Sequence, residues 1–262
     1  MGYKIIYEIN MLQIFLVIVL LQIIFFIYAA LRKTDKVTDL SYGLTFVVAV
    51  LFAYLINIEY VSIFKTVLLI LVSLWGIRLS TYLFIRILKT GKDKRFDGVR
   101  ENFKRFASFW LLQAVSIFII LLPTTYILIT KETMSLNWIS NIGLVIALLG
   151  ILIEGIADSQ KFIFKNKVEN KGKWINTGLW KYSRHPNYLG EIMMWVGVFI
   201  YGIVYINGIE LLTILSPIYI TFLLVSVSGI PTLEREYDKR YGEDKEYQEY
   251  KKKTGKLLPK IL

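Results

Sequence analysis

The sequence contains no cysteine and only one histidine, His185. The lack of cysteine excludes disulfides, thiolate metal sites and cysteine nucleophiles, and a single histidine argues against a metal centre built on imidazoles. The chain also lacks a glycine-rich dinucleotide or phosphate loop, a serine elbow and a paired-carboxylate glycosidase site. If a nucleotide binds here, its pocket must be built by other elements of the chain.

Polar residues are in the minority, since 55% of the 262 residues are hydrophobic and the mean hydropathy is +0.54. This composition is too apolar for a soluble domain of this size and predicts a polytopic membrane protein. We therefore expect an all-α fold and one membrane domain over residues 1–262. A crossing needs about 20 residues, and seven runs qualify: 11–31, 40–56, 61–85, 108–129, 138–157, 190–206 and 211–230.

The basic residues are distributed unevenly between the connections. Of the 31 Lys and Arg residues, 27 lie in alternate segments, namely 32–39, 86–107, 158–189 and the tail 231–262. Because cytoplasmic loops carry the positive excess, this pattern predicts an outside N-terminus and a cytoplasmic tail. Much of the net charge of +11 therefore reflects topology, and no nucleic-acid partner is expected.

The polar residues are densest between Gly178 and Glu191, in the sequence GLWKYSRHPNYLGE. Proline suits the first turn of a helix and disfavours helix before it, so a helix is predicted to begin at Pro186. Its free N–H groups, beside Arg184, would favour an anion such as phosphate. The alternative is a helix cap with interfacial aromatic anchors.

Several other polar groups have two interpretations. One helix face carries four charged residues, namely Glu154, Asp158, Lys161 and Lys165. Because a charge inside the membrane is costly, they either pair with each other along the helix or face a wet cavity. Arg78 fits either an ion pair with Glu154 or Glu191 or a ligand contact, and Gln113 either a pocket group or an interhelical hydrogen bond. The tail is predicted to form one or two amphipathic helices, broken near Gly242. These helices would either lie on the membrane surface or cover a ligand site.

The motif from Asp158 to Phe164, followed by residues 178–191, resembles the steroid 5-alpha-reductase-like and sterol-reductase membrane enzymes, most closely their bacterial-type DUF1295 branch. The resemblance extends from about residue 70 to the C-terminus. The Arg-His-Pro-x-Tyr core is also similar to the isoprenylcysteine carboxyl methyltransferases, which use S-adenosylmethionine. The Asp-x-Gln-Lys element and the Asn-Tyr-x-Gly-Glu ending favour the reductases.

The resemblance implies an enzyme that uses NADPH at the cytoplasmic face and reduces a carbon–carbon double bond in a lipid taken from the bilayer. The implied cofactor-binding residues are Asp158, Lys161, Arg184, His185, Asn187, Tyr188 and Glu191, with Glu234 and Arg240 from the tail. No metal is implied. The Glu and Tyr that steroid reductases use in early spans have no counterparts at the expected positions, so Arg78 or Tyr82 would polarise the substrate carbonyl.

Two other functions remain open on the sequence. One is a membrane methyltransferase that uses S-adenosylmethionine, and the other is a lipid-binding protein without catalytic activity. The Lys- and Ile-rich composition indicates a prokaryotic plasma membrane, although a protein of the endoplasmic reticulum would have the same orientation.

Overall fold

The structure, a computed structural model, describes residues 2–260, with side chains from Ile9 onward except that of Lys94. Within this range the chain forms nine α-helices. They are α1 (Gly2–Leu31), α2 (Thr38–Leu55), α3 (Ile63–Thr90), α4 (Phe103–Ile129), α5 (Trp138–Asn166), α6 (Pro186–Gly202), α7 (Leu215–Phe222), α8 (Ile230–Tyr241) and α9 (Lys245–Lys253). The predicted all-α class is confirmed.

Seven helical segments of the described residues are long and apolar enough to cross a membrane, as predicted. Helices α3, α4 and α5 extend beyond the apolar runs 61–85, 108–129 and 138–157, because their polar ends continue the helix past the hydrophobic part. The seventh candidate span, Gly208–Tyr241, is irregular. It contains a 3-10 stretch before α7 and a π-helical turn over Leu223–Val227, which separates α7 from α8.

The chain divides into two compact units, the first made of Met1–Asn141 and Tyr201–Ser216 and the second of Ile142–Ile200 and Pro217–Leu262. In the first unit α2 and α3 pack closely at glycines. A Cβ atom added at Gly43 would lie 2.6 Å from the carbonyl oxygen of Gly76. Beside this contact the rings of Phe46 and Trp75 meet edge to face at 5.0 Å, so small and large residues interlock as a close-packed interior requires.

Gln113 forms interhelical hydrogen bonds within the first unit. Its Nε2 donates to Gln22 Oε1 at 2.9 Å and to Ser41 Oγ at 3.1 Å, and Gln22 Nε2 donates to Thr45 Oγ1 at 2.8 Å. These side chains join α1, α2 and α4 and are buried. Of the two interpretations of Gln113, the interhelical hydrogen bond is therefore the one that its contacts support.

The charged connection between α3 and α4 is fixed by a buried ion pair. Arg100 Nη1 lies 2.5 Å from Asp35 Oδ1, and Asp35 also accepts a hydrogen bond from the backbone N–H of Asp93. Arg95 pairs with Asp93 on the same loop. Burial raises the pKa of the Asp93 carboxyl, but its hydrogen bonds and ion pair with Arg95 outweigh burial and hold the pKa below its ordinary value. Much of this loop's charge is therefore used in structural pairs.

In the second unit α5 and α6 approach until their backbones touch. An added Cβ at Gly150 would lie 2.6 Å from Gly190 O, and one at Gly190 would lie 2.5 Å from Glu154 N. Two turns further along α6, a Cβ at Gly197 would lie 2.5 Å from Ala147 N. Small residues at helical spacing are the usual means of close packing between membrane helices. The contact fixes the position of the first turns of α6, which belong to the polar motif.

Candidate functional site

The polar motif folds as a turn, an extended stretch and a helix start. Gly178 has a φ of +60° and lies against the Gln160 side chain. A Cβ atom added at this glycine would be 2.5 Å from that side chain. Gln160 Oε1 accepts a hydrogen bond from Leu179 N at 2.9 Å. A short 3-10 turn over Gly178–Lys181 follows, and α6 begins at Pro186 as predicted.

His185 and Arg184, which immediately precede α6, both contact Glu234 of α8. His185 Nε2 lies 2.9 Å from Glu234 Oε1, and Arg184 Nη1 lies 3.1 Å from Glu234 Oε2. Lys251 of α9 lies 3.7 Å from the same carboxylate and also pairs with Asp238. One carboxylate thus contacts groups from the motif and from the tail, through a hydrogen bond with His185 and ion pairs with Arg184 and Lys251.

The imidazole of His185 is almost completely buried and in a cationic environment. Burial lowers its pKa below the ordinary value of 6.5, and the charges of Lys161 and Arg184 act in the same direction. The hydrogen bond to Glu234 opposes the shift without reversing it. His185 is therefore neutral at neutral pH, and the site has a buried imidazole that can both donate and accept a hydrogen bond.

Four buried polar atoms of this region have no hydrogen-bond partner among the described residues: His185 Nδ1, Asn187 Oδ1, and Nε and Nη1 of Arg184, of which Nη1 lies in the ion pair with Glu234. A buried polar atom without a partner costs about 1–3 kcal/mol, so such atoms are rare and call for an explanation. Here they occur within four residues of each other, next to the N-terminus of a long helix. A polar ligand that bonds to them would remove this cost.

Lys161 belongs to the wall of the site on α5. Its Nζ lies over the ring of Trp180 at 4.7 Å and over that of Tyr237 at 5.8 Å from the ring centroids. The indole N–H of Trp180 in turn donates to the Ala157 carbonyl at 3.0 Å, which ties the motif to α5. Lys161 is thus held by aromatic faces, with its positive charge near His185.

The first turn of α6 contributes an aromatic ring, and two of the predicted carboxylates are buried on α5 and α6. Tyr188 stacks on His185 with 5.7 Å between ring centroids and 9° between ring planes. Glu191 is buried on α6, and Asp158 is buried on α5. Both carboxylates have interactions with neighbouring groups, and their role as cofactor ligands stays a prediction.

A strap, residues 254–258, follows α9 and lies along residues 181–185. Ser183 and Gly255 form a parallel bridge in which Arg184 N donates to Gly255 O at 2.9 Å. Ser183 Oγ donates to Leu257 O at 2.7 Å and also accepts a bond from His185 N. The strap therefore fixes the backbone on which Arg184 and His185 are carried.

Helices α8 and α9 are the amphipathic tail helices that the sequence predicted, and they break after Gly242. Asp244 begins α9 by accepting hydrogen bonds from Glu246 N and Tyr247 N. The buried ring of Tyr247 packs against Trp174 and Tyr241. Tyr250 donates to the Trp180 carbonyl at 2.7 Å. The tail is thus an integral part of the second unit.

Of the predicted residues, the structure brings Lys161, Arg184, His185, Asn187, Tyr188 and Glu234 into one region. Arg240, by contrast, is exposed on α8 and lies over the ring of its neighbour Tyr241, at 5.9 Å. Arg78 and Tyr82 belong to α3 in the first unit. The catalytic role of Arg78 and Tyr82 stays a prediction, as does cofactor binding by Arg240.

Sequence reasoning missed Lys251 and Ser183, which the structure places in the same region. Lys251 is 17 positions from Glu234 and reaches it only because the chain reverses at Gly242. Ser183 lies inside the motif, but its function depends on a carbonyl of residue 257. Neither contact has a local sequence signal.

A family model described as "Protein of unknown function (DUF1295)" matches residues 25–254, which is most of the chain. No curated protein and no solved structure matches the chain.

Proposed function

We propose that this chain, which belongs to the DUF1295 family of membrane proteins of unknown function, is a membrane-embedded reductase that uses NADPH to saturate a carbon–carbon double bond of a lipid. The steroid 5-alpha-reductase-like resemblance suggests this reaction. The observation that carries the proposal is the buried group of Arg184, His185 and Asn187 before and within the first turn of α6, with polar atoms that lack partners among the described residues.

The chemistry of these residues fits NADPH. The cofactor carries a pyrophosphate and a 2′-phosphate, and the N-terminus of α6 with Arg184 and Lys161 offers N–H groups and positive charge for phosphate oxygens. His185 Nδ1 and Asn187 Oδ1 can accept from hydroxyl or amide donors. S-adenosylmethionine has one carboxylate and a positive sulfonium, so a site with several cations suits it less well.

When bound, NADPH would supply a hydride to the β-carbon of an α,β-unsaturated carbonyl lipid, and a proton taken up at the α-carbon would complete the saturation of the double bond. The residues of the second unit would bind and orient the cofactor and keep water from it. Arg78 or Tyr82 is proposed to donate a hydrogen bond to the substrate carbonyl, where negative charge develops. We further propose that the site faces the cytoplasm, since the motif and tail belong to the lysine- and arginine-rich segments.

The proposal is tested by thermal unfolding of the detergent-purified protein with NADPH, NADH or S-adenosylmethionine. A ligand that binds only the folded state raises the melting temperature, so the comparison reports cofactor choice without knowledge of the lipid. We expect the largest shift with NADPH. A shift with S-adenosylmethionine alone would replace the proposed reductase by a methyltransferase.

The variant Arg184→Gln tests the site itself. Loss of a charge-assisted hydrogen bond costs about 1.5–3 kcal/mol, so we expect NADPH to bind roughly tenfold to a hundredfold more weakly. Arg235→Gln is the matched control, because Arg235 is exposed on α8, and it should bind NADPH normally. Equal affinity in both variants would remove Arg184 from the cofactor site.

A further inference from the structure

The contacts of the only histidine determine which of its ring nitrogens can bind a ligand. Nε2 lies 2.9 Å from Glu234 Oε1, while Nδ1 is buried and has no hydrogen-bond partner among the described residues. A carboxylate accepts hydrogen bonds and does not donate them. The nitrogen that faces Glu234 must therefore carry the proton.

Glu234 itself is kept ionised by its surroundings. Its second oxygen lies 3.1 Å from Arg184 Nη1 and 3.7 Å from Lys251 Nζ. A proton on this carboxylate would weaken both ion pairs, so the carboxylate remains an acceptor. The cations near the imidazole, Lys161 of α5 and the adjacent Arg184, disfavour a second proton on the ring.

We propose that Glu234 is a positioning residue that holds His185 as the neutral tautomer protonated at Nε2, so that the buried Nδ1 is a hydrogen-bond acceptor of the site. A bound molecule must then present an N–H or O–H group to Nδ1, and a phosphate oxygen cannot occupy that position. His185 therefore selects a hydroxyl or amide, while Arg184 and the N-terminus of α6 remain available for anionic oxygens. Glu234 acts through His185 and does not itself need to touch the ligand.

This inference concerns the same site as the proposed function, and it rests on that proposal only for the choice of NADPH as probe. The two are tested separately because the tautomer exists without ligand. A single histidine gives a single imidazole spectrum, so protein labelled with ¹⁵N- and ¹³C-histidine in lipid bilayers reports His185 alone. The ring nitrogens are identified by their correlations, since Nε2 couples to both carbon-bound ring protons.

We expect a protonated Nε2 and an unprotonated Nδ1 at neutral pH in the wild-type protein. In Glu234→Gln the amide can donate or accept, so the single tautomer should be lost or its population redistributed. Glu236→Gln, the same substitution at an exposed position of α8, should leave the spectrum unchanged. A proton on Nδ1 in the wild type, or a Glu234→Gln spectrum identical to it, would overturn the inference.

NADPH addition then separates the two proposals. A donor bonded to Nδ1 should move its signal upfield while Nε2 stays protonated. Transfer of the proton to Nδ1 on binding would overturn the acceptor role. If NADPH leaves both the spectrum and the melting temperature unchanged, the proposed cofactor is wrong, and the tautomer spectrum alone decides the role of Glu234.

Discussion

The imidazole of His185 lies among charged groups that come from three elements: Lys161 from α5, Arg184 from the motif and Glu234 from α8. Its pKa in the folded protein is lowered, mainly because the ring is buried. A group of this kind binds a proton more readily in the unfolded chain than in the folded one. Proton uptake by His185 therefore favours unfolding.

We expect the melting temperature to fall as the pH is lowered below 6.5, the ordinary pKa of histidine. The loss of stability begins when His185 is protonated in the unfolded chain. It stops growing once the pH passes below the lowered pKa of His185 in the folded protein. Its size is about 1.4 kcal/mol for each pKa unit between the two states. Melting of the wild type and His185→Gln between pH 8 and 5 measures it. If the melting temperatures of the wild type and His185→Gln changed equally with pH, the prediction would be contradicted.

For single residues, the sequence predicts which polar side chains are unusual better than it predicts which groups they contact. Gln113 is an example, because a polar residue in an apolar run must have a partner, yet the sequence does not say which. The structure gives Gln22 and Ser41. Likewise the sequence marks His185 as unusual, while its bond to Glu234 joins positions 49 residues apart.

Among the elements, α5 and α6 pack backbone to backbone because glycines lie at their contact. The start of α6 carries Asn187 and Tyr188, so any displacement of this helix moves groups of the candidate site. Gly190 is tightly constrained, because an added Cβ would meet the backbone of α5 at Glu154 and Gly150. Backbone atoms cannot rotate away as a side chain can.

Gly190→Ala should destabilise the protein by about 1–3 kcal/mol, the usual cost of overpacking, and should weaken NADPH binding. Gly202→Ala on the same helix is the matched comparison, since its Cβ would meet the flexible end of the Ile127 side chain. We expect the smaller loss of melting temperature there. If both variants melt alike, the close α5–α6 contact does not limit stability.

The starts and ends of elements show what local sequence determines. The beginning of α6 at Pro186 and the break after Gly242 follow from the backbone restrictions of proline and from helix capping, which act over a few residues. The strap is different. Its bridge from Ser183 to Gly255 joins segments 72 residues apart, and its formation depends on how α8 and α9 return to the motif, which no local pattern encodes.

At the scale of the whole molecule, the number of helices follows from composition, because every crossing must be apolar and long enough. The seven candidate spans were predictable for this reason. The irregular backbone near Leu223–Val227 was not, since its sequence LLVSV reads as an ordinary part of a span. Hydropathy measures the cost of contact with lipid and is insensitive to the hydrogen-bond register of the helix.

The absence of cysteine makes the orientation directly measurable, because single cysteines can be introduced without removing any others. Lys171→Cys and Lys252→Cys lie in segments predicted to be cytoplasmic, and Glu59→Cys and Glu132→Cys lie in connections predicted to be outside. All four positions are exposed. A membrane-impermeant maleimide applied to intact cells should label only the two glutamate positions, and permeabilisation should expose the two lysine positions.

This orientation is predicted from the 27 basic residues on one set of connections, because positive charge opposes transfer of those segments across the membrane. It also bears on the proposed function, since Lys171 precedes the motif and Lys252 is next to Lys251, a partner of Glu234. Labelling at Lys252→Cys in intact cells would place the tail outside. The site would then lie where a cytoplasmic pool of NADPH has no access, and the reductase proposal would fail together with the predicted topology.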